Sequence, residues 1–421
     1  MDPRIREDDE YSPMIVTHNL RNYAVVTGGY WAFTLTDGAI RMLVVLYFHQ
    51  LGYTPLAIAS LFLFYEFFGI VTNLVGGWLG ARFGLNTTMH AGMLLQVIAL
   101  LMLTVPSEYL TIIYVMAAQA LSGIAKDLNK MSAKASIKHF VPTKDKHASS
   151  SPTLFKWIAI LTGSKNTLKG VGYFLGGFLL AVYGFQNALY ILAGGLFIVF
   201  ILTLFLLPSD LGKSKVKAKF SQVFSNTPAI NWLSAARFFL FGSRDVWFVV
   251  GLPVYLTTTL GWGFEQTGSF FALWIIAYGL IQAATPAFLK QHAPTEKTTT
   301  LLAVILIFIP AAIAWGLYQS SDPTTVILIG LGLFAIVFAM NSAVHSYLIV
   351  EWSDHDKVAM NVGFYYMANA GGRLTGTVLS GLVYQHYSLI GCLITSTLFV
   401  AGAAVLSSKL PAHKKAPDPL K

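Results

Sequence analysis

Apolar stretches of about 20 residues follow one another along almost the whole chain, and that recurrence restricts the fold more than any other feature. A backbone crossing hydrocarbon must satisfy its own N–H and C=O groups, so such stretches fold as helices. Pro, Gly, Asn and charged residues punctuate the runs. They place helices near 23–48, 55–80, 88–105, 109–140, 153–182 and 186–207, then 229–257, 265–290, 299–318, 324–350, 358–384 and 387–407. The 421 residues are 55% apolar and 11% charged; soluble domains carry roughly 25% charge, which excludes a soluble fold. Twelve spans at about 20 residues each take about 240 positions and leave room for loops and tails.

Orientation follows from the basic residues. With the N-terminus inside, Arg82, Lys144, Lys146, Lys213, Lys215, Lys217, Lys219, Lys297 and Lys357 fall in cytoplasmic loops, and Lys409, Lys414, Lys415 and Lys421 in the C-terminal tail. The external loops contain no Lys or Arg. This asymmetry predicts twelve spans with both termini cytoplasmic. The opening MDPRIREDDEYSP lacks the basic start and apolar core of a signal peptide. Cys392 is the sole cysteine, which excludes an intramolecular disulfide and a cysteine-based metal cluster.

The two halves repeat. YFHQLGYTPLAIASLFLFYEFFGI reads like YLTTTLGWGFEQTGSFFALWIIAYGL, with Leu51 and Leu260 in register 209 positions apart. LKGVGYFLGGFL likewise matches GRLTGTVLSGLV, pairing Lys169 with Arg373, Gly172 with Gly376 and Gly177 with Gly381 at a spacing of 204. The expected organisation is a tail (1–22), a six-helix half (23–207), a basic linker (208–228), a second six-helix half (229–407) and a tail (408–421). An all-α membrane protein of two pseudo-symmetric, parallel six-helix halves binds its substrate between them near the midplane.

Charges at membrane depth define the candidate site. The cations are Arg41, Lys126, Lys130, Lys165, Lys169, Arg237, Arg244 and Arg373; the acids are Asp37, Glu66, Asp127 and Asp245. A charge at the bilayer centre costs at least about 3 kcal/mol and needs a partner, water or ligand. Four acids cannot neutralise eight bases one for one, so the excess points to an anion in a wet central cavity. The competing account is an internal ion-pair network. Lys165 and Lys169 share a face of helix 5, Arg373 is the repeat equivalent of Lys169, and these three are expected to face one cavity. Arg41 and Arg244, on corresponding helices of the two halves, are placed to grip an oxyanion from both sides. Mixed Arg and Lys suit a ligand with more than one anionic group.

Each position has a second reading. Arg41 can pair with Asp37 one turn earlier. Lys126, Asp127 and Lys130 can snorkel to cytoplasmic water instead of touching ligand, and Arg237, near the start of helix 7, is expected at the interface. Asp245 points about 100 degrees away from Arg244 and pairs across helices. Asp37, Glu66, Asp127 and Asp245 are the candidates for proton coupling; Glu66, on one face with Asn73, serves equally well as a structural group. Asn361, Tyr365, Asn369 and Arg373 form a ladder in helix 11, of which Asn369 and Arg373 are expected to line the cavity. His345 reads as a satisfied interior histidine, and Tyr30, Trp31 and Trp247 as possible cavity walls.

Gly212-Lys213-Ser214 resembles the end of a phosphate loop, but its required earlier glycine is Leu207, so ATP does not drive the process. Zinc-site spacing and a hydrolase elbow are lacking too, and the chain is expected to be neither an enzyme nor a nucleic-acid binder, and to need no cofactor.

Gly77-Trp78-Leu79-Gly80-Ala81-Arg82-Phe83-Gly84 resembles the loop signature of the major facilitator superfamily, with Ala81 where that signature is acidic. Gly172-Tyr173-Phe174-Leu175-Gly176-Gly177 is similar to the superfamily's helix 5 antiporter motif, with Tyr173 in place of Pro; close helix packing explains such glycines equally well. Segments 30–53, 62–79, 119–138, 161–177 and 231–254, within matches running over 22–207 and 230–406, resemble the organoarsenical efflux permeases of bacterial arsenic-resistance operons, the ArsJ family. That resemblance implies a monomer of the inner membrane that exports 1-arseno-3-phosphoglycerate by alternating access and confers arsenate resistance. The cargo would be supplied by glyceraldehyde-3-phosphate dehydrogenase acting with arsenate. An organophosphate or phosphate antiporter is the alternative, followed by a drug exporter.

Overall fold

A computed structural model describes residues 13–53, 60–140, 152–207, 227–289, 293–319, 322–354 and 357–411. The acidic N-terminal stretch, Lys144 and Lys146, the linker lysines with Gly212-Lys213-Ser214, and Lys414, Lys415 and Lys421 lie outside the described residues.

Among these residues the long elements are all helical: α1 (Pro13–Gln50), α2 (Leu63–Phe83), α3 (Leu85–Met102), α4 (Ile112–Phe140), α5 (Pro152–Leu206), α6 (Pro228–Phe248), α7 (Gly251–Thr258), α8 (Phe264–Phe288), α9 (Glu296–Gln319), α10 (Pro323–Glu351) and α11 (Val358–Ser407). Eight stretches are long and apolar enough to cross a membrane, including 53 residues within α5 and all 50 of α11. A straight 53-residue helix would measure about 80 Å, far beyond the ~30 Å hydrocarbon core. Both long helices break instead, α5 at Gly184 (φ 75°) and α11 at Ser388 (φ 56°). The breaks are 204 positions apart, the spacing of the sequence repeat, and divide α5 and α11 where separate spans were expected.

The expected span 229–257 is divided into α6 and α7. Pro253 has no N–H to offer the carbonyl four residues back, and the Ser380 hydroxyl accepts from the freed Val250 and Gly251 amides at 3.3 and 3.0 Å. Gly84, in the loop signature, makes the turn from α2 to α3 at φ 98°.

Small residues bring helices together. A Cβ on Gly172 would stand 2.6 Å from the Leu35 carbonyl and 3.1 Å from Gly38 Cα, so α1 and the first limb of α5 meet backbone to backbone. Gly376 meets α6 at the Gly242 carbonyl in the same way, 2.6 Å away. The crossings Gly38/Gly172 and Gly242/Gly376 are again 204 positions apart. Without an aqueous drive for helix association inside a bilayer, such close packing is a main source of cohesion.

Gly84, the start of α11 and the end of α10 lie at one end of the bundle, called here the Gly84 end; Leu51, Gly184 and Ser388 lie at the other. Near the Gly84 end the halves are tightly joined. Gly77 of α2 would place a Cβ 2.7 Å from the Ala359 carbonyl of α11, Phe155 packs on Tyr347 with ring centroids 5.3 Å apart, and a single apolar core runs from α1–α5 into the adjoining ends of α10 and α11. A separate apolar core belongs to α6–α11.

A cavity between the two halves

A cavity of about 460 Å³ lies between the halves, reaching from Gln282 and Ser342 toward Val45, Pro253 and Thr267 near the Leu51 end. The eight residues proposed for substrate, Arg41, Lys126, Lys130, Lys165, Lys169, Arg244, Asn369 and Arg373, all lie on its wall. Of the proton-coupling candidates, Asp245 reaches the wall; Asp37, Glu66 and Asp127 stand behind it, each holding a cation.

A chain of charges crosses from one half to the other. Arg41 Nη2 lies 3.4 Å from Glu66 Oε1, which also accepts from Arg373 Nη2 at 2.9 Å. Arg373 Nε donates to Asp245 Oδ2 at 2.9 Å, and Arg244 Nε to the other oxygen of the same carboxylate at 2.6 Å. Asp245 therefore pairs both with its sequence neighbour and across helices. The alternative Arg41–Asp37 pair does not form: Asp37 accepts from Tyr65 Oη at 2.6 Å and Lys169 Nζ at 3.1 Å. Arg41 instead lies over the Tyr65 and Phe62 rings, 4.7 and 5.1 Å away.

Lys126, Asp127 and Lys130 do not snorkel out of the bundle. Lys130 Nζ donates to Asp127 Oδ1 at 2.6 Å, Lys126 Nζ stands 3.8 Å from Oδ2, and their ammonium groups sit over the Tyr366 and Tyr65 rings at 4.2 and 3.8 Å. Arg237 departs from its expected interfacial place. It is 3% exposed, donates to Asn369 Oδ1 at 2.9 Å and Ser342 Oγ at 3.1 Å, and reaches the cavity. Its place early in α6 suggested shallow burial, but the Asn369–Ser342 cradle comes from helices distant in sequence.

Lys134 escaped the sequence reading altogether. Also 3% exposed, it donates to Tyr366 Oη at 2.6 Å. The signal was present: Lys126, Lys130 and Lys134 recur every four residues and share a helical face. Asn166 and Gln282 are further additions, joining the halves through a 2.6 Å hydrogen bond between two cavity-lining amides.

The helix 11 ladder divides. Asn369 and Arg373 line the cavity, whereas Tyr365 is buried and Asn361 donates to Ser353 at 3.1 Å. His345 is fully buried with neither ring nitrogen hydrogen-bonded, so it is not the satisfied histidine expected. Tyr30, Trp31 and Trp247 are absent from the wall; Trp247 packs in the second apolar core against Phe334, 5.1 Å between centroids. The aromatic wall is made by Phe241, Phe248, Phe271, Trp274 and Tyr278 instead. Arg82 of the loop signature stacks over Trp78 at 5.1 Å and makes no ion pair among the described residues.

Among the described residues, and with Lys134 included, nine cations are set around four carboxylates, and six of the nine have one within 4 Å. The wall thus offers neutral donors, a broad apolar face and a large positive excess, a combination suited to holding an organic anion. Among the described residues no cluster of three or more His, Cys, Asp or Glu is arranged to hold a metal ion.

A family model described as Major Facilitator Superfamily matches residues 26–348. The chain belongs to the Major Facilitator Superfamily. A comparison with curated proteins finds no match. Among solved structures, this superfamily chain is similar to the human organic anion transporter MFSD10 (TETRAN), at 15% identity and TM-score 0.73, over 92% of this chain and 99% of that one. The proton:xylose symporter XylE bound to 6-bromo-6-deoxy-D-glucose gives 13% identity and TM-score 0.74, over 95% and 97%. A bacterial homologue of ferroportin in an outward-facing state gives 13% and 0.71, over 92% and 98%. These identities speak to the fold alone. As a member of this superfamily with several apolar helices of membrane-crossing length, the protein is a multi-pass membrane transporter rather than an enzyme.

Proposed function

We propose that this transporter exports a small organic anion bearing more than one acidic group, by alternating access between its two halves, and that the cargo is 1-arseno-3-phosphoglycerate. The cation excess on the cavity wall carries this reading. A guest with both a phosphate and an arsenate ester supplies negative charge at two points, and the inter-half ladder through Glu66 and Arg373 has arginines on either side of it to receive them. Resemblance of residues 30–53, 119–138 and 161–177 to organoarsenical efflux permeases selects the arsenylated compound from the wider class of organic anions.

With the termini cytoplasmic, as the Lys/Arg distribution indicates, the Gly84 end faces the cytoplasm of a bacterium and the cavity extends toward the outside. Export requires the Gly77/Ala359 and Phe155/Tyr347 contacts to part so that cargo can enter from within. Rocking about the midplane site then closes them again. The arsenate ester is unstable and hydrolyses after release, which makes the step effectively one-way.

Everted membrane vesicles test the reading. Glyceraldehyde-3-phosphate dehydrogenase, its substrate, NAD and arsenate are placed outside, so that the ester forms there, and arsenic inside the vesicles is measured with and without a proton gradient. Accumulation that needs both the transporter and the dehydrogenase supports the proposal. Uptake of 3-phosphoglycerate without any for the arsenylated ester would favour an organophosphate antiporter, and uptake of neither would sink both.

A further inference from the structure

The positive excess is not spread evenly over the cavity. Arg41, Lys126, Lys130, Lys169, Arg244 and Arg373 all have a carboxylate within 4 Å. Lys165, Arg237 and Lys134 have none among the described residues, and all three lie toward the Gly84 end, one to two turns nearer to it than Lys169, Arg244 and Arg373. Lys165 makes no hydrogen bond among the described residues either, and its side chain borders the cavity from α5. Arg237 borders it from α6, in the other half. Hydrogen bonds link their surroundings: Asn166, next to Lys165, donates to Gln282, Gln282 donates to Ser342, and Ser342 accepts from Arg237. Lys134, behind Tyr366, lies within electrostatic range of both.

Resting on the reading of the protein as an organic-anion carrier, we propose that Lys165 and Arg237 form the subsite for a doubly charged tetrahedral oxyanion, such as a phosphate or arsenate monoester, and discriminate it from a singly charged one. A group of charge −2 offsets the two acid-free cations that line the cavity, Lys165 and Arg237, whereas a group of charge −1 leaves one of them unmatched. The arginine supplies planar, directional donors held by Asn369 and Ser342, and the lysine supplies a mobile point charge from the opposite half. Charge is read here, and the carbon skeleton extends toward the aromatic wall.

The test uses two esters of one shape, 3-phosphoglycerate and the 3-sulfate ester of glycerate, with the full-length protein in lipid nanodiscs and binding measured by calorimetry. The phosphate monoester loses its second proton near pH 6, whereas the sulfate stays singly charged. Wild-type protein should prefer the phosphate ester by about tenfold or more at pH 7.5, as expected for a hydrogen-bonded charge, and that preference should fade as pH drops toward 5. Lys165→Gln and Arg237→Gln should each bring it close to unity, chiefly by weakening the phosphate ester. Lys165→Gln removes a cation that has no partner, so its thermal midpoint should match or exceed wild type, which separates a binding defect from misfolding. Equal weakening of both esters, or an unchanged preference in Lys165→Gln, would overturn this subsite while leaving the carrier reading intact. Failure of the wild type to bind either ester would overturn both.

Discussion

Asp245 is a fully buried acid shared by two arginines, and replacing it with Asn isolates what its charge contributes. Its side chain is 0% exposed, and its two oxygens serve separate guanidinium groups, Arg244 Nε at 2.6 Å and Arg373 Nε at 2.9 Å. Asn keeps the shape but removes the charge and turns one acceptor into a donor that faces an arginine donor. Removing one partner of a buried ion pair costs about 3–5 kcal/mol. Glu66→Gln offers the comparison: Glu66 also holds two arginines, but it is 19% exposed and water can replace part of what is lost, so about 1–2 kcal/mol is expected. An unfolding entropy of ~2.1 cal/mol/K per residue over this length gives about 0.9 kcal/mol per degree, and hence midpoint losses of about 3–6 °C for Asp245→Asn and about 1–2 °C for Glu66→Gln. Thermal denaturation of detergent-solubilised protein, followed by tryptophan fluorescence, measures both. Combining Asp245→Asn with Arg373→Gln should show a coupling of at least about 1 kcal/mol. Equal losses from the two acid variants, or no coupling to Arg373, would refute the account of Asp245 as the anchor of the ladder.

Gly372→Ala should lower the midpoint by an amount equivalent to about 1–3 kcal/mol, because the new methyl meets the Phe238 carbonyl; Gly381→Ala, with nothing within 4 Å, should change it by less than about 0.5 kcal/mol. Equal effects in the same thermal assay would contradict the proposed α6–α11 crossing. Ser388 adopts a backbone conformation that favours glycine, which the repeat has at Gly184, so Ser388→Gly should stabilise the protein by about 1 kcal/mol and raise its midpoint. Lys165→Ala, Lys169→Ala and Arg373→Ala should each reduce vesicle uptake at least about tenfold with insertion unchanged on quantitative blots. Normal uptake in all three would remove the proposed site.

Much of the site was legible from depth alone, because a Lys or Arg inside a 20-residue apolar run has few places to go except inward. Lys165 and Lys169 share a face by their spacing, and the 204-position repeat linked Lys169 to Arg373 before any contact was known. Partner choice was not legible. Arg41 lies one turn from Asp37, yet it pairs with Glu66 of α2, and Asp37 is claimed by Tyr65 and Lys169 from α2 and α5. Local spacing makes a pair possible, but helix packing determines whether a nearer or better-aimed group from another helix takes it. Arg237 was misjudged for the same reason, since its buried partners Asn369 and Ser342 come from α11 and α10.

The linear chain by itself determined that this protein is a bundle of membrane helices with an internal repeat and more buried positive than negative charge, because hydrophobicity, spacing and charge count are properties of the sequence. Only the tertiary structure decided which cations are matched by acids and which, Lys165 and Arg237 among them, remain facing the cavity. That distribution depends on angstrom-scale distances between helices, and glycine contacts such as Gly38/Gly172 and Gly242/Gly376 set those distances.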